Sequence, residues 1–521
     1  MAEPVSDQAE VEFQYDAPHL QPILDWLAVA NVPGYTVVPV SDKQLRDTYY
    51  DTADWRIHRG GFTCRVRVKG DDAELTLKTM AGATAGLRQR REITEKLAPE
   101  TSRRPEEAPG ACGASVRMMA GRRRPEALFT LDQHRRTFAL SNDTGLLAEI
   151  AVDETRLGDG RPTLRRVEVE VEPGALAATE RFRGVLMALG NLVPATTSKF
   201  EAAMLAAELN PVATEATLGS TTVTPAMAAA DVGFAVLRKH FAVFLANEPG
   251  TRLGEDIEAL HDMRVAARRL RAAMQAFSPW LPERVQRFRA ELGMIAAVLG
   301  EVRDLDVFLE RIDEWEKDDP DHAVALAHIG EVLRERRDAA RGRMLTVLDR
   351  VRYDVFVERF AGWLRRGAPA SFLAGREPVL VVAPPLLRKR YRKVQRMGDA
   401  INRSSPPDSY HSLRIEGKKL RYALEFFGPV YGAPATDFAR RLTALQDVLG
   451  LHQDAYVAID MLHDLAANYA RRLGPETILA MGAVQERYRA HAAELRSEFR
   501  DVYRPLAGNW RTLRKSFLAT A

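Results

Sequence analysis

The stretch His261-Asp262-Met263-Arg264, followed by Arg268-Arg269-Leu270-Arg271, occurs a second time 150 residues on. There it reads His411-Ser412-Leu413-Arg414, followed by Lys418-Lys419-Leu420-Arg421. The offset extends on both sides: Leu237-Arg238-Lys239 returns as Leu387-Arg388-Lys389, and Leu299-Gly300 with Asp304 returns as Leu449-Gly450 with Asp454. A duplicated helical unit is the simplest source of such a pattern. At about 100° per residue, His261, Arg264, Arg268 and Arg271 fall on one side of a helix, as do His411, Arg414, Lys418 and Arg421. The opposite side carries Met263, Leu270, Met274 and Phe277 in one copy and Leu413, Leu420, Leu424 and Phe427 in the other. Each helix therefore buries one face and presents a basic row on the other.

A charged helix face ordinarily means a solvated surface. Such faces usually interleave acids with bases at i,i+4, and these rows contain no acid. Aligned like charges cost stability unless an anion sits against them, so the rows point to a polyanion. Composition narrows the choice. The chain of 521 residues has 74 Lys and Arg against 71 Asp and Glu, a net charge of +3. A general nucleic-acid binder carries a larger basic excess, and Tyr422 is the one aromatic on these helices suited to stacking on bases. The expected ligand is phosphate rather than nucleic acid. His261 and His411 are expected to end the rows or bond locally, and Asp304 and Asp454 to orient the cations or cap helices.

Residues before about 200 alternate with period two instead. Glu10–Gln14, Cys64–Lys69, Glu74–Lys78 and Arg166–Glu172 each have one apolar and one ionic side. Several strands with wholly ionic faces predict a closed antiparallel barrel or tunnel with a charged lumen. Glu10 and Glu12 share a face, as do Glu168 and Glu170, and Glu149 and Asp153. Clustered carboxylates of this kind suit Mg²⁺ or Mn²⁺. Arg65, Arg67, Lys78, Arg90, Arg135 and Lys199 supply cations for a phosphate chain. Acids for metal and bases for phosphate in one lumen describe a metal-dependent phosphoryl-transfer site.

The rest of the chain fits a multidomain α+β protein: a β tunnel with flanking helices, then an all-α region of two duplicated helical bundles. Ala98–Pro125, rich in Pro, Gly, Ala and Arg, reads as a loop insertion, with Arg122-Arg123-Arg124 solvated. Asn210–Pro225 reads as a linker, and Gly367–Pro385 divides the helical region in two. Cys64 and Cys112 support neither a disulfide framework nor a zinc cluster, which fits a reducing cytoplasm. No secretory signal is expected, and the apolar Val379–Leu387 run, broken by Pro384-Pro385, is too short to cross a bilayer.

These segments resemble two known families. Glu10-Val11-Glu12, Tyr49 to Thr52, Arg65-Val66-Arg67, Leu75 to Lys78, Arg90-Arg91-Glu92, Arg135, Glu149 to Asp153, Glu168-Val169-Glu170 and Ser198-Lys199 resemble the CYTH domain. That is the triphosphate tunnel fold of adenylate cyclases, thiamine triphosphatases and inorganic triphosphatases. The duplicated helical part resembles the CHAD domain, which binds inorganic polyphosphate. The resemblance implies a CYTH domain over 8–207, a linker over 208–224 and a CHAD domain over 225–515. It further implies an eight-stranded tunnel, with Glu10, Glu12, Glu168 and Glu170 on metal and Glu149 and Asp153 as further ligands. Arg65, Arg67, Lys78, Arg90, Arg135 and Lys199 would hold triphosphate, with Glu10, Glu12, Lys78, Arg65 and Arg67 at the chemistry. Arg238, Lys239, Arg388 and Lys389 would join the two basic rows on polyphosphate.

One position departs from the family signature Glu-x-Glu-x-Lys: residue 14 is Gln14. Loss of a charge-assisted contact, worth roughly 1–3 kcal/mol, is expected to slow turnover about ten- to a hundredfold unless Lys69 or Lys78 compensates. On that view Gln14→Lys raises the rate. The expected activity is hydrolysis of tripolyphosphate to pyrophosphate and phosphate. The rivals are a weak or inactive polyphosphate-binding protein of polyphosphate granules, and an adenylate cyclase.

Overall fold

Alternation in the first part of the chain produces eight long antiparallel strands in the computed structural model, which describes residues 6–69, 72–80, 82, 84–98, 104–211, 217–318 and 320–519. They are β1 (Ser6–Asp16), β2 (Thr36–Asp51), β3 (Phe62–Lys69), β4 (Asp72–Thr79), β5 (Leu87–Leu97), β6 (Glu126–Asn142), β7 (Gly145–Leu157) and β8 (Pro162–Val171). Their order is β5-β4-β3-β2-β6-β7-β8-β1, and β1 also pairs with β5, which closes the barrel. A two-residue strand, β9 (Val193–Pro194), lies beside β1.

The barrel is inverted relative to an ordinary core. Apolar positions such as Val152, Val167 and Val169 point outward and are covered by α1 (Gln21–Ala28) and α4 (Glu180–Gly190), through Ile23, Leu24, Leu27, Phe182 and Leu186. Val66, Leu75, Leu77 and Ile93 pack instead on Cys112, Val116 and Met119 of α3 (Ala111–Ala120). Short α2 (Arg56–Arg59) follows β2, and α5 (Lys199–Ala206) packs Phe200, Ala203 and Met204 on Tyr49, Phe129, Leu131 and Leu157. With the apolar faces satisfied by helices, the ionic faces are left to line the interior.

The expected loop over Ala98–Pro125 is therefore corrected within its described part. Cys112, Val116 and Met119 recur at helical spacing and are each 0% exposed. Glu95 of β5 accepts hydrogen bonds from the backbone N–H groups of Gly110 (3.3 Å) and Cys112 (3.0 Å), supplying the anionic cap that this helix start lacks locally. Residues 99–103 lie outside the described residues.

By contacts the chain divides into two compact units, one of residues 1–212 and 247–256, the other of 213–246 and 257–521. The second is helical: most of α6 (Ala229–Leu253, whose residues from 247 on belong to the first unit), α7 (Ile257–Ala276), α8 (Val285–Asp318), α9 (Ala323–Leu348), α10 (Val351–Arg366), α11 (Val379–Ala400), α12 (Pro407–Phe426), α13 (Gly428–Tyr431), α14 (Ala433–Tyr503) and α15 (Leu506–Ala519). Helix α12 begins and ends 150 residues after α7. Gly474, at φ 78°, breaks α14 into two helices, in the place where the first half passes from α8 to α9. The divide between halves is shorter than expected, because α11 already begins at Val379 and buries Val379, Val382, Ala383 and Leu387. Met263, Leu270, Met274 and Phe277, with Leu413, Leu420, Leu424 and Phe427, are all buried in one apolar core. Among the described residues no helix is long and apolar enough to cross a membrane.

Candidate functional site

Strand register fixes which charges meet inside the barrel. Glu10 stands opposite Arg90, Glu12 opposite Arg88 and Glu170, Gln14 opposite Glu168, and Glu149 opposite Glu170. These side chains, with Arg65, Arg67, Lys78, Arg135 and Lys199, line a cavity of about 460 Å³. The cations arrive from β3, β4, β5, β6 and the first residue of α5, and the acids from β1, β7 and β8.

Most of these charges are paired. Lys78 contacts Glu10 closely and Glu92 at 3.1 Å, and Arg90 contacts Glu12. Arg67 donates twice to Asp47, at 2.7 and 2.8 Å, with Arg65 3.6 Å away. Arg135 and Lys199 reach Glu168 at 2.6 and 2.8 Å. Burial by itself raises the pKa of Glu168, but Lys199 and Arg135 outweigh it and hold the carboxyl well below its usual range. Gln14 donates from Nε2 to Glu12 (2.9 Å) and Glu168 (3.1 Å).

Glu149 and Glu170 differ. Neither has an ion-pair partner among the described residues, and they face each other across β7 and β8. Burial, and then the charge of Glu10, push Glu170 up to about 7. Opposed carboxylates, with Glu170 held above its usual range, are what a divalent cation relieves. Among the described residues no group of three or more acids, histidines or cysteines forms a ready metal cage. The donor set thus fits a hard cation held by one or two carboxylates that keeps waters or phosphate oxygens as its other ligands, the habit of Mg²⁺.

Asp153 stands apart from the other proposed metal ligands. It is 0% exposed and does not line the cavity. Its oxygens accept from Arg135 (2.9 and 2.7 Å), Gln133 (2.7 Å) and Lys199 (2.5 Å), which leaves no free direction for a metal. It shares parity with Glu149 but lies deeper, where its work is to aim Arg135 and Lys199. From sequence, no site role attaches to Asp47, Arg88, Glu92 and Arg166, all of them on inward-facing positions. Arg166 shares the parity of Glu168 and Glu170, which could have found it. The side chain of Lys69 lies outside the described residues.

In the helical unit, α7 and α12 bring their basic rows together. Lys418 is surrounded by Arg414, Arg268, Arg421 and Arg264, and its pKa falls to about 7, through burial first and these charges next. Arg264 donates to Asp304 at 2.8 Å, and Arg311 lies 3.4 Å from Asp454. The repeated glycines lie beside the row arginines: a Cβ at Gly300 or Gly450 would meet Nε of Arg264 or Arg414 at 3.5 or 3.8 Å, an ordinary contact distance. Asp304 is not the sole acid beside the rows: Glu425 pairs with Arg421 (3.4 Å) and Arg269 (3.1 Å). His411 keeps a buried Nδ1 without a hydrogen-bond partner.

Two of the cations preceding the rows also make contacts within the helical unit. Arg238 donates to the carbonyl of Leu364 at 3.1 and 2.7 Å, satisfying the end of α10. Arg388 lies 5.8 Å over the ring of Phe517, near the end of α15. In both halves this arginine fastens the last helix, so its recurrence has a structural cause. Lys239 and Lys389 are exposed.

The tunnel lined by complementary charges and the duplicated basic helical unit are each matched by a family model. The CYTH domain model matches residues 9–200 and the CHAD domain model residues 235–463. The chain therefore carries a CYTH domain followed by a CHAD domain. Among solved structures it is similar to the CHAD domain of the plant Ricinus communis (23% identity, 57% of this chain, 95% of that one, TM-score 0.44). PptA from Streptomyces chartreusis is similar at 22% identity over 53% of this chain and 99% of its own, with a TM-score of 0.43. An adenylyl cyclase-type protein from Hippeastrum, described as having a dominant triphosphatase activity, matches at 18% identity over 39% of this chain and 97% of its own, with a TM-score of 0.31. No curated protein matches the chain.

Proposed function

We propose that the tunnel hydrolyses inorganic tripolyphosphate to pyrophosphate and orthophosphate with Mg²⁺ or Mn²⁺, and that the helical unit binds long-chain polyphosphate. The observation that carries the reading is the lumen itself, where Arg65, Arg67, Lys78, Arg90, Arg135 and Lys199 converge on a cavity that Glu149 and Glu170 enter without cation partners. Tripolyphosphate entering this cavity exchanges the carboxylate partners of the cations for phosphate oxygens. Glu10, Glu12 and Glu168 are thereby released to join Glu149 and Glu170. A bound divalent cation would neutralise phosphate charge and lower the pKa of a water. Arg65, Arg67 and Arg90 present fixed donors to charge on the transferring phosphoryl group, and Lys78 and Arg135 hold the chain in line. The closed β1–β5 seam confines entry to the barrel ends.

Purified protein is mixed with tripolyphosphate and Mg²⁺ or Mn²⁺, and released phosphate is measured. Metal-dependent release that disappears in Glu168→Ala with Glu170→Ala supports the assignment. No such release, or release unchanged by the double substitution, rejects it. A second reading rests on uncharged Gln14 in the lumen: a tunnel that binds phosphate without turning it over, in a protein recruited to polyphosphate granules. Product analysis with ATP separates both from a cyclase.

A further inference from the structure

Gln14 sits where the family signature has lysine, and its surroundings show what the amide does. The side chain is 2% exposed and all of its ends are engaged. Nε2 donates to Oε1 of Glu12 at 2.9 Å and to Oε1 of Glu168 at 3.1 Å. Oε1 accepts from Nη1 of Arg166 at 3.3 Å. Arg166 is 1% exposed, and it also donates from Nε and Nη2 to Oδ1 of Asp16 at 3.1 and 2.7 Å. The amide can face only one way: a flip would set its oxygen against two carboxylates and its N–H groups against a guanidinium.

We propose that Gln14 and Arg166 act as one unit, in which the neutral amide bridges the buried guanidinium to Glu12 and Glu168, so that Gln14 is a positioning residue and not a vacated cation site. In this chain the positive charge beside the amide is that of Arg166 on the neighbouring strand. Lysine has three donors and no acceptor. At position 14 it would leave Nη1 of Arg166 without its acceptor and set two cations side by side where water is excluded. It would also compete with Arg90 for Glu12, and with Arg135 and Lys199 for Glu168, turning both carboxylates from their present directions. Gln14→Lys is therefore harmful in this chain, the reverse of what the signature alone suggests.

The activity arm rests on the triphosphatase reading; the stability arm does not. Wild type, Gln14→Lys, Arg166→Gln and the swap Gln14→Lys/Arg166→Gln are compared by thermal midpoint in metal-free buffer, and by kcat and KM for tripolyphosphate with Mn²⁺. Gln14→Lys is expected to lower the midpoint by roughly 5 °C. It should lower kcat about tenfold or more with KM little changed, a split that a purely structural role would not produce. The swap is expected to regain at least about half of both losses. A rate gained by Gln14→Lys, or single effects that simply add in the swap, overturns the proposal. If Gln14→Lys yields no folded protein, a folded swap supports it and an unfolded swap overturns it. If even wild type releases no phosphate, the proposed function falls while the midpoints still decide this inference.

Discussion

Lys418 gives the helical unit a titration that can be read from outside. Its pKa in the ligand-free protein is about 7 against an ordinary 10.5, because burial and the charges of Arg414, Arg268, Arg421 and Arg264 all disfavour a further cation. A polyphosphate chain lying on the same arginines removes that penalty and returns the lysine towards its ordinary value. Binding therefore takes up a proton above pH 7. If only the protonated lysine binds, affinity follows its protonated fraction and falls about twenty-five-fold from pH 6.5 to 8.5, with uptake of about 0.9 proton at pH 8. Long chains are the appropriate ligand, since their internal phosphates are strong acids and carry constant charge over this range. Calorimetric titration in buffers of different ionisation enthalpy measures the uptake directly. Lys418→Arg should bind with no pH slope above 7. The stability sign is opposite. Between pH 7 and 10.5 the unfolded chain holds a proton on Lys418 that the folded chain lacks, so the ligand-free protein gains stability as pH rises through this window. An equal pH slope in Lys418→Arg, or no uptake at pH 8 in wild type, would refute the reasoning.

Two further outcomes follow from the charge layout. Reversing Arg264, Arg268, Arg414 and Lys418 to Glu should reduce affinity for long-chain polyphosphate about a hundredfold or more while circular dichroism stays helical, and wild-type binding should weaken as salt rises; retained affinity in a folded variant refutes the assignment. Asp47→Asn should destabilise the protein by about 3 kcal/mol in urea unfolding at pH 7, since it leaves buried Arg67 without a carboxylate. Burial raises the pKa of Asp47, but Arg65 and Arg67 bring it down from 3.8 to about 2, so its stabilisation is complete above pH 3.8 and is lost as pH falls through about 2. A loss under about 0.5 kcal/mol would contradict that role.

The tunnel was legible because its strands separate two chemistries by parity. In Arg166–Glu172 the valines point to helices and the acids to the lumen, and a period of two is visible in any such run. Depth along a strand was not legible: Glu149 and Asp153 share a face, yet one enters the cavity and the other is enclosed by Arg135, Gln133 and Lys199. Partners distant in sequence were also hidden. Nothing around Asp47 announces that Arg67, twenty residues later, will close on it. In the helical unit the 150-residue offset exposed the basic rows, but it preserved structural and ligand-facing residues alike. Arg238 and Arg388 recur with the rows and also contact the last helix of each half. Helix α3 was masked by its Gly- and Pro-containing setting, and only the spacing of Cys112, Val116 and Met119 carried its signal.

Closure of the barrel by its first strand has a consequence for biogenesis. β1 is synthesised before the other strands, yet its two long neighbours are β5 and β8, the latter ending at Val171. Until then the nascent sheet has two unprotected margins, and β1 has nowhere complete to dock. The amino-terminal segment is thus the stave that finishes the cask. Its removal would reopen both seams at once and expose a long template for association with other chains.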